Sequence, residues 1–125
     1  MDSKILESRL KNLAYRIVAM CEYLPKNKIA GIIEGQLLRS CFSAAANYSA
    51  ACKGMSRKSF ISKLSISFEE SDETQFWLEV INELNLIAPE KLTLLLKEST
   101  ELASILVSAC KTSQAKDKLT ATKKS

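Results

Sequence analysis

Glu69-Glu70-Ser71-Asp72-Glu73 is the densest run of titratable residues in the chain. Neighbouring carboxylates raise two chemical possibilities, a metal centre and an acid–base pair. Helical di-metal bundles complete their sites with Glu-x-x-His motifs on facing helices, and this chain contains no histidine. The same lack removes Ser-His-Asp and Cys-His catalysis, His-ligated zinc and the usual proton shuttle at neutral pH. No phosphate-cradling glycine loop or nucleophile elbow occurs either. The expectation is a protein that is not an enzyme, with no metal, no cofactor and no small-molecule substrate.

The four cysteines, Cys21, Cys41, Cys52 and Cys110, form no C-x-x-C pair. Cys41 and Cys52, placed on one helix, lie about 16 Å apart along its axis, too far to bridge. They read as small buried hydrophobes in a reducing cytoplasm.

Phosphate is the ligand class that the cationic residues suggest. Lys53, Arg57, Lys58 and Lys63 fall in one stretch with no acid among them, and such a cluster can displace counterions from a nucleic acid. Phe60 offers the nearest ring for base stacking but is expected to point inward. The net charge of +4 has a second location. Residues 111–125 hold five Lys and one Asp, while residues 1–110 carry 13 basic and 13 acidic groups. Thr112 to Ser125 contains one Leu and no aromatic residue, which predicts a flexible basic tail after a folded unit spanning 1–111. This tail is a solubilising end or a weak electrostatic arm.

These groups must be positioned by helices. A chain of 125 residues with 46% hydrophobic and 26% charged residues makes one soluble domain. Only 3 Gly and 2 Pro are present, too few for a sandwich or barrel of many short strands. No apolar run approaches the roughly 18–20 residues of a membrane span, and the first residues lack a signal-peptide layout. The expected setting is the cytoplasm, with no membrane contact.

Leu6, Leu10, Leu13, Ile17, Met20 and Leu24 alternate at spacings of 4 and 3, predicting a first helix over 4–24 that stops before Pro25. A second helix over 27–53 is opened by Asn27 and closed at Gly54, a residue suited to the left-handed position after a helix end. Its interior, Ser40 to Ala46 and Ser49 to Cys52, is almost all small, so neighbouring backbones can approach closely. Ser56 caps a third helix that ends by Ile87-Ala88, and Pro89-Glu90 open a fourth over 89–111. Four helices with short connectors favour an all-α, antiparallel up-down-up-down four-helix bundle.

The turn around residue 55 sets position 39 level with about position 71. Arg39 then faces Glu70, and Gln36 faces Glu73 and Thr74. With Ser43 and Asn47, these residues are expected to form a structural polar network, including a buried Arg39–Glu70 pair that specifies register. On helix three, Phe60, Leu64, Thr74, Leu78 and Ile81 fill the interior, whereas Phe68, Phe76, Trp77, Val80 and Leu84 spread over the remaining circumference. Monomers seldom expose such a patch. A homo-oligomer with Phe68, Phe76, Trp77 and Val80 at or near its interface is expected.

Two blocks of the sequence carry a family resemblance. Gln36-Leu37-Leu38-Arg39-Ser40, Ser43 and Ala46-Asn47-Tyr48 form the first; Phe60-Ile61, Lys63-Leu64, Ile66, Glu70, Glu73-Thr74 and Trp77-Leu78-Glu79 form the second. Together they resemble the four-helix-bundle proteins related to the 23S rRNA intervening-sequence proteins, over roughly residues 9–110. The resemblance implies a left-handed antiparallel bundle, commonly a ring-shaped homopentamer, without established catalytic activity. Related accessory proteins of retroelements are associated with nucleic-acid binding. The chain departs from the family pattern at Cys41 and Ala45, where Gly is common, and at Ser49-Ala50, where a basic and an acidic residue often stand. The expected function is a non-enzymatic oligomeric bundle binding RNA or DNA weakly and non-specifically through Lys53, Arg57, Lys58 and Lys63. The alternative is a protein-interaction scaffold or adaptor with no nucleic-acid role.

Overall fold

Three side-chain oxygens start three of the helices by taking up amides that would otherwise lack a partner. Asp2 accepts from the amide of Lys4 at 2.8 Å, Asn27 from Ala30 at 2.9 Å and Ser56 from Ser59 at 3.1 Å. The computed structural model describes residues 2–54 and 56–124, with the backbone alone at 117 and 120–124. It consists of α1 (Ser3–Cys21), α2 (Lys28–Cys52), α3 (Arg57–Glu83) and α4 (Thr93–Lys124), with a short 3-10 turn at Pro89–Lys91 before α4. No strand occurs among the described residues, so the all-α expectation holds.

Residue numbers run in opposite directions on facing helices. Glu7 of α1 meets Ser49 of α2, Ser40 and Ala44 of α2 meet Thr74 and Ser67 of α3, and Arg57 of α3 meets Ser113 of α4. The beginnings of α1 and α3 therefore share one end of the bundle with the ends of α2 and α4.

The core is the apolar seam read from the sequence. Leu6, Leu10, Leu13, Ile17, Met20 and Leu24 are all buried, as are Leu64, Leu78 and Ile81 of α3 and Leu95, Leu102 and Leu106 of α4. Each fully buried Leu or Ile contributes about 1.5–3 kcal/mol relative to exposure. The most extensive packing joins α2 to α3, where Ala44, Ser40, Ser67, Ser71 and Thr74 are buried. The Ser67 hydroxyl donates to the Ala44 carbonyl at 2.7 Å and that of Ser40 to the Leu37 carbonyl at 3.0 Å. Thr74 Oγ1 lies 3.0 Å from Ser40 Oγ and 2.9 Å from the Glu70 carbonyl, its proton serving either. Small residues let the helices close, and backbone acceptors satisfy the hydroxyls they bring.

Five boundaries differ from the sequence reading. α4 starts at Thr93, after the 3-10 turn, rather than at Pro89. α1 gives way to a turn after Cys21 rather than running to Leu24. α3 ends at Glu83 because Asn85 takes a left-handed φ of 54°. Its amide donates to the Asn82 carbonyl and that of Leu86 to the Ile81 carbonyl, each at 3.1 Å, which closes the helix end. Gly54 does not adopt the left-handed conformation. A Cβ there would stand 3.0 Å from the Ala51 carbonyl oxygen and 3.4 Å from the Phe60 amide nitrogen, so the position favours glycine by close approach. Finally, α4 does not stop at 111 to leave a tail over 112–125. It continues to Lys124, with Ser113 buried. Ser125, the last residue of the expected tail, lies outside the described residues, as do Met1 and Met55.

Candidate nucleic-acid interface

The closing turn of α2, the first turns of α3 and the part of α4 around Ser113 meet at one end of the bundle. Lys53, Arg57 and Lys58 are exposed there and Lys63 is half-buried. Arg57 Nη2 donates to the Ser113 carbonyl at 3.2 Å, and its guanidinium lies 5.7 Å from the centre of the Phe60 ring. Arg57 thus ties α3 to α4, a structural role that the basic-cluster reading did not give it. Lys111, Lys116 and Lys118 are exposed on the same α4 extension. The two cationic stretches, read separately in the sequence, lie at the same end of the bundle.

The predicted register between α2 and α3 is observed. Arg39 Nη1 lies 3.1 Å from Glu70 Oε2 and Nη2 lies 2.5 Å from Glu73 Oε2, with Nε 3.5 Å from Gln36 Oε1. The pair is buried only at Glu70 Oε2, however. Arg39 sits on the outer edge of the α2–α3 contact and its side chain is 48% exposed. The hydrogen bond from Arg39 holds the Glu73 carboxyl below its ordinary range, and the same bond raises the Arg39 guanidinium. Asn47 stands apart from this group. Its Nδ2 donates to the Ser43 carbonyl at 2.9 Å and lies 3.1 Å from Ser43 Oγ. The expected single network is two local ones.

Of the outward apolar residues expected on helix three, Phe76 and Leu84 are largely exposed, each at 52%. Phe68, Trp77 and Val80 are half-buried against the chain's own core, because α3 is flanked by both α2 and α4. Trp77 meets Phe76 edge-on at 4.9 Å, and its Nε1 donates to Glu73 Oε1 at 3.2 Å.

Three of the cysteines are buried, but Cys52 is exposed, which corrects the reading that made all four internal. Burial pushes the Cys21 thiol up to about 11 and that of Cys41 to about 12, leaving them protonated and poor nucleophiles at neutral pH. Among the described residues no group of Cys, Asp and Glu is placed to share a metal ion. Glu70 and Glu73 are committed to Arg39 instead.

Two arrangements escaped the sequence reading. Arg9 of α1 forks onto Glu98 of α4, at 2.7 Å from Nη2 and 3.1 Å from Nε, with Glu101 at 3.3 Å. The 3-residue spacing of Glu98 and Glu101 was the available signal, but pairing α1 with α4 required the fold. Tyr15 of α1 and Phe42 of α2 touch at the surface, ring centres 6.2 Å apart. Neither ring belongs to an apolar seam, so periodicity gave no sign of them.

The fold and this charged end define a small all-helical bundle protein. The chain belongs to the 23S rRNA-intervening sequence protein family, whose family model matches residues 5–108. It is also similar to a solved structure, at 32% identity and a TM-score of 0.79, covering 89% of this chain and 99% of the other. That structure is a protein of unknown function from the S23 ribosomal protein family of Bacteroides thetaiotaomicron VPI-5482. No curated protein matches the chain.

Proposed function

We propose that this protein is a non-enzymatic, self-associating helical bundle that binds RNA or DNA through phosphate contacts at its cationic end. One observation carries the reading: the Arg57–Ser113 hydrogen bond holds the α4 extension beside the start of α3. Lys53, Lys58, Lys63, Lys111, Lys116 and Lys118 are thereby gathered at one end. Lysines on such a surface contact the nucleic-acid backbone without reading base sequence. Several copies in one particle, five in the ring that the family resemblance implies, would multiply a weak contact through effective concentration. Exposed Phe76 of α3 and Leu84, just past its end, supply apolar surface for that association. The proposed setting is a reducing cytoplasm, which suits four unpaired cysteines. No helix among the described residues is long and apolar enough to cross a membrane.

Binding of a mixed-sequence RNA measured across a salt series tests the reading. Affinity should fall with salt at a slope near −0.7 per phosphate contacted, and Lys58→Glu with Lys116→Glu should lower it further. No binding at low salt, or binding indifferent to salt, overturns the proposal in favour of a protein-interaction scaffold. Sedimentation of the wild type and of Phe76→Glu tests self-association. A wild type that runs as a monomer at micromolar concentration removes the multivalent route.

A further inference from the structure

We infer that the groove between α1 and α2 is a stacking site for an unpaired base of a single-stranded nucleic acid. The inference rests on the nucleic-acid reading above and extends it from phosphate to base. The groove encloses about 320 Å³, at the lower end of the range of small-ligand clefts. Tyr15 and Phe42 form its aromatic wall, 55% and 41% exposed, with their ring planes inclined at 60°. Aromatic side chains supply much of a protein's buried apolar surface. Two of them in contact with each other, yet open to water in one groove, leave about half of that surface uncovered.

The charge around the rings fits a nucleic-acid strand. Lys11 and Lys53 line the groove, and Lys53 also belongs to the cationic end. The groove is therefore continuous with the surface proposed to hold phosphate. Glu7, the one acid in the lining, accepts a hydrogen bond from the Ser49 hydroxyl at 2.7 Å. A strand crossing the end of the bundle would set its phosphates on the lysines and lay a base on the open ring faces. Such stacking tolerates any base, since each has a π-face. A paired base, held in its duplex, cannot enter.

The test compares two 12-nucleotide RNA probes, oligocytidylate and an abasic strand of equal length, by fluorescence anisotropy at low salt. The full-length protein is used in its native assembly. The wild type should bind the base-bearing strand about tenfold more tightly or better. Tyr15→Ala combined with Phe42→Ala should bring that strand down to the abasic level while leaving abasic binding, helicity and sedimentation unchanged. Equal binding of the two strands by the wild type overturns the inference, as does a double variant that keeps the preference. A double variant that changes the sedimenting mass also overturns it, because the groove is then a subunit contact. Failure of the wild type to bind either strand overturns the phosphate reading itself, so the two failures are distinct.

Discussion

Arg57 reaches 3.2 Å across the bundle end to the main-chain carbonyl of Ser113, so the first turn of α3 is tied to α4 where its extension begins. Arg57→Ala should release that extension. We expect faster amide hydrogen exchange over residues 111–118 and a global loss of about 1 kcal/mol, the low side for a charged hydrogen bond because Arg57 is exposed. Lys58→Ala, one residue on, should leave exchange unchanged. Equal protection in wild type and Arg57→Ala would show that the extension is held by other contacts.

Arg39→Leu separates register from burial. With Arg39 at 48% exposure, the substitution should cost about 1 kcal/mol, short of the roughly 3–5 kcal/mol of breaking a buried pair. The effect is pH-dependent with a definite sign. Arg39 lowers the Glu73 carboxyl from its ordinary value of 4.5, so the pair stabilises fully above that value. Its contribution disappears as pH falls through the lowered one. Urea unfolding should show the gap between wild type and variant closing below about pH 4.5.

The glycines divide by what surrounds them. Gly54→Ala should cost at least about 1 kcal/mol, since the added methyl meets the Ala51 carbonyl at 3.0 Å. Nothing lies within 4 Å of a Cβ at Gly31 or Gly35. Both sit inside α2, where replacing Gly by Ala gains about 0.5–1 kcal/mol. Opposite shifts in the unfolding midpoint for Gly54→Ala and Gly35→Ala are the expected outcome.

Ser99 is fully buried, and its hydroxyl has no hydrogen-bond partner among the described residues. An unmade hydrogen bond in the core is a cost that alanine removes. Ser99→Ala should therefore raise stability by about 1 kcal/mol, read by chemical denaturation, although most core substitutions lower it.

Local signals that act within one helix or hairpin were legible. The alternating seam of α1, the Asn27 and Ser56 caps and the pairing of Arg39 with Glu70 across a short turn all follow from spacing alone. What required the fold was competition between neighbours. Gly54 suits either a left-handed turn or a tight approach, and only the position of Phe60 decides between them. Trp77 and Val80 look superfluous on one helix but are absorbed when helices pack on two sides of it. Residues 112–124 are too polar to make a core, which suggested disorder. They extend a helix already nucleated by the bundle, however, and so avoid the initiation cost that an isolated segment must meet. The candidate phosphate lysines were visible as a cluster, whereas their union with the α4 extension and the Tyr15–Phe42 groove were not.

The alanines and serines along the α2–α3 seam also bear on the order of assembly. A buried Ala surrenders no rotamer freedom and a Ser little, unlike the Leu and Met side chains that α1 must immobilise. The two helices are joined by a turn of only a few residues, Lys53 to Ser56, so their contacts close a short loop at small chain-entropy cost. The helical hairpin has the least disorder to lose for the packing it gains. It is the part of the molecule that can form first and offer a template on which α1 and α4 dock.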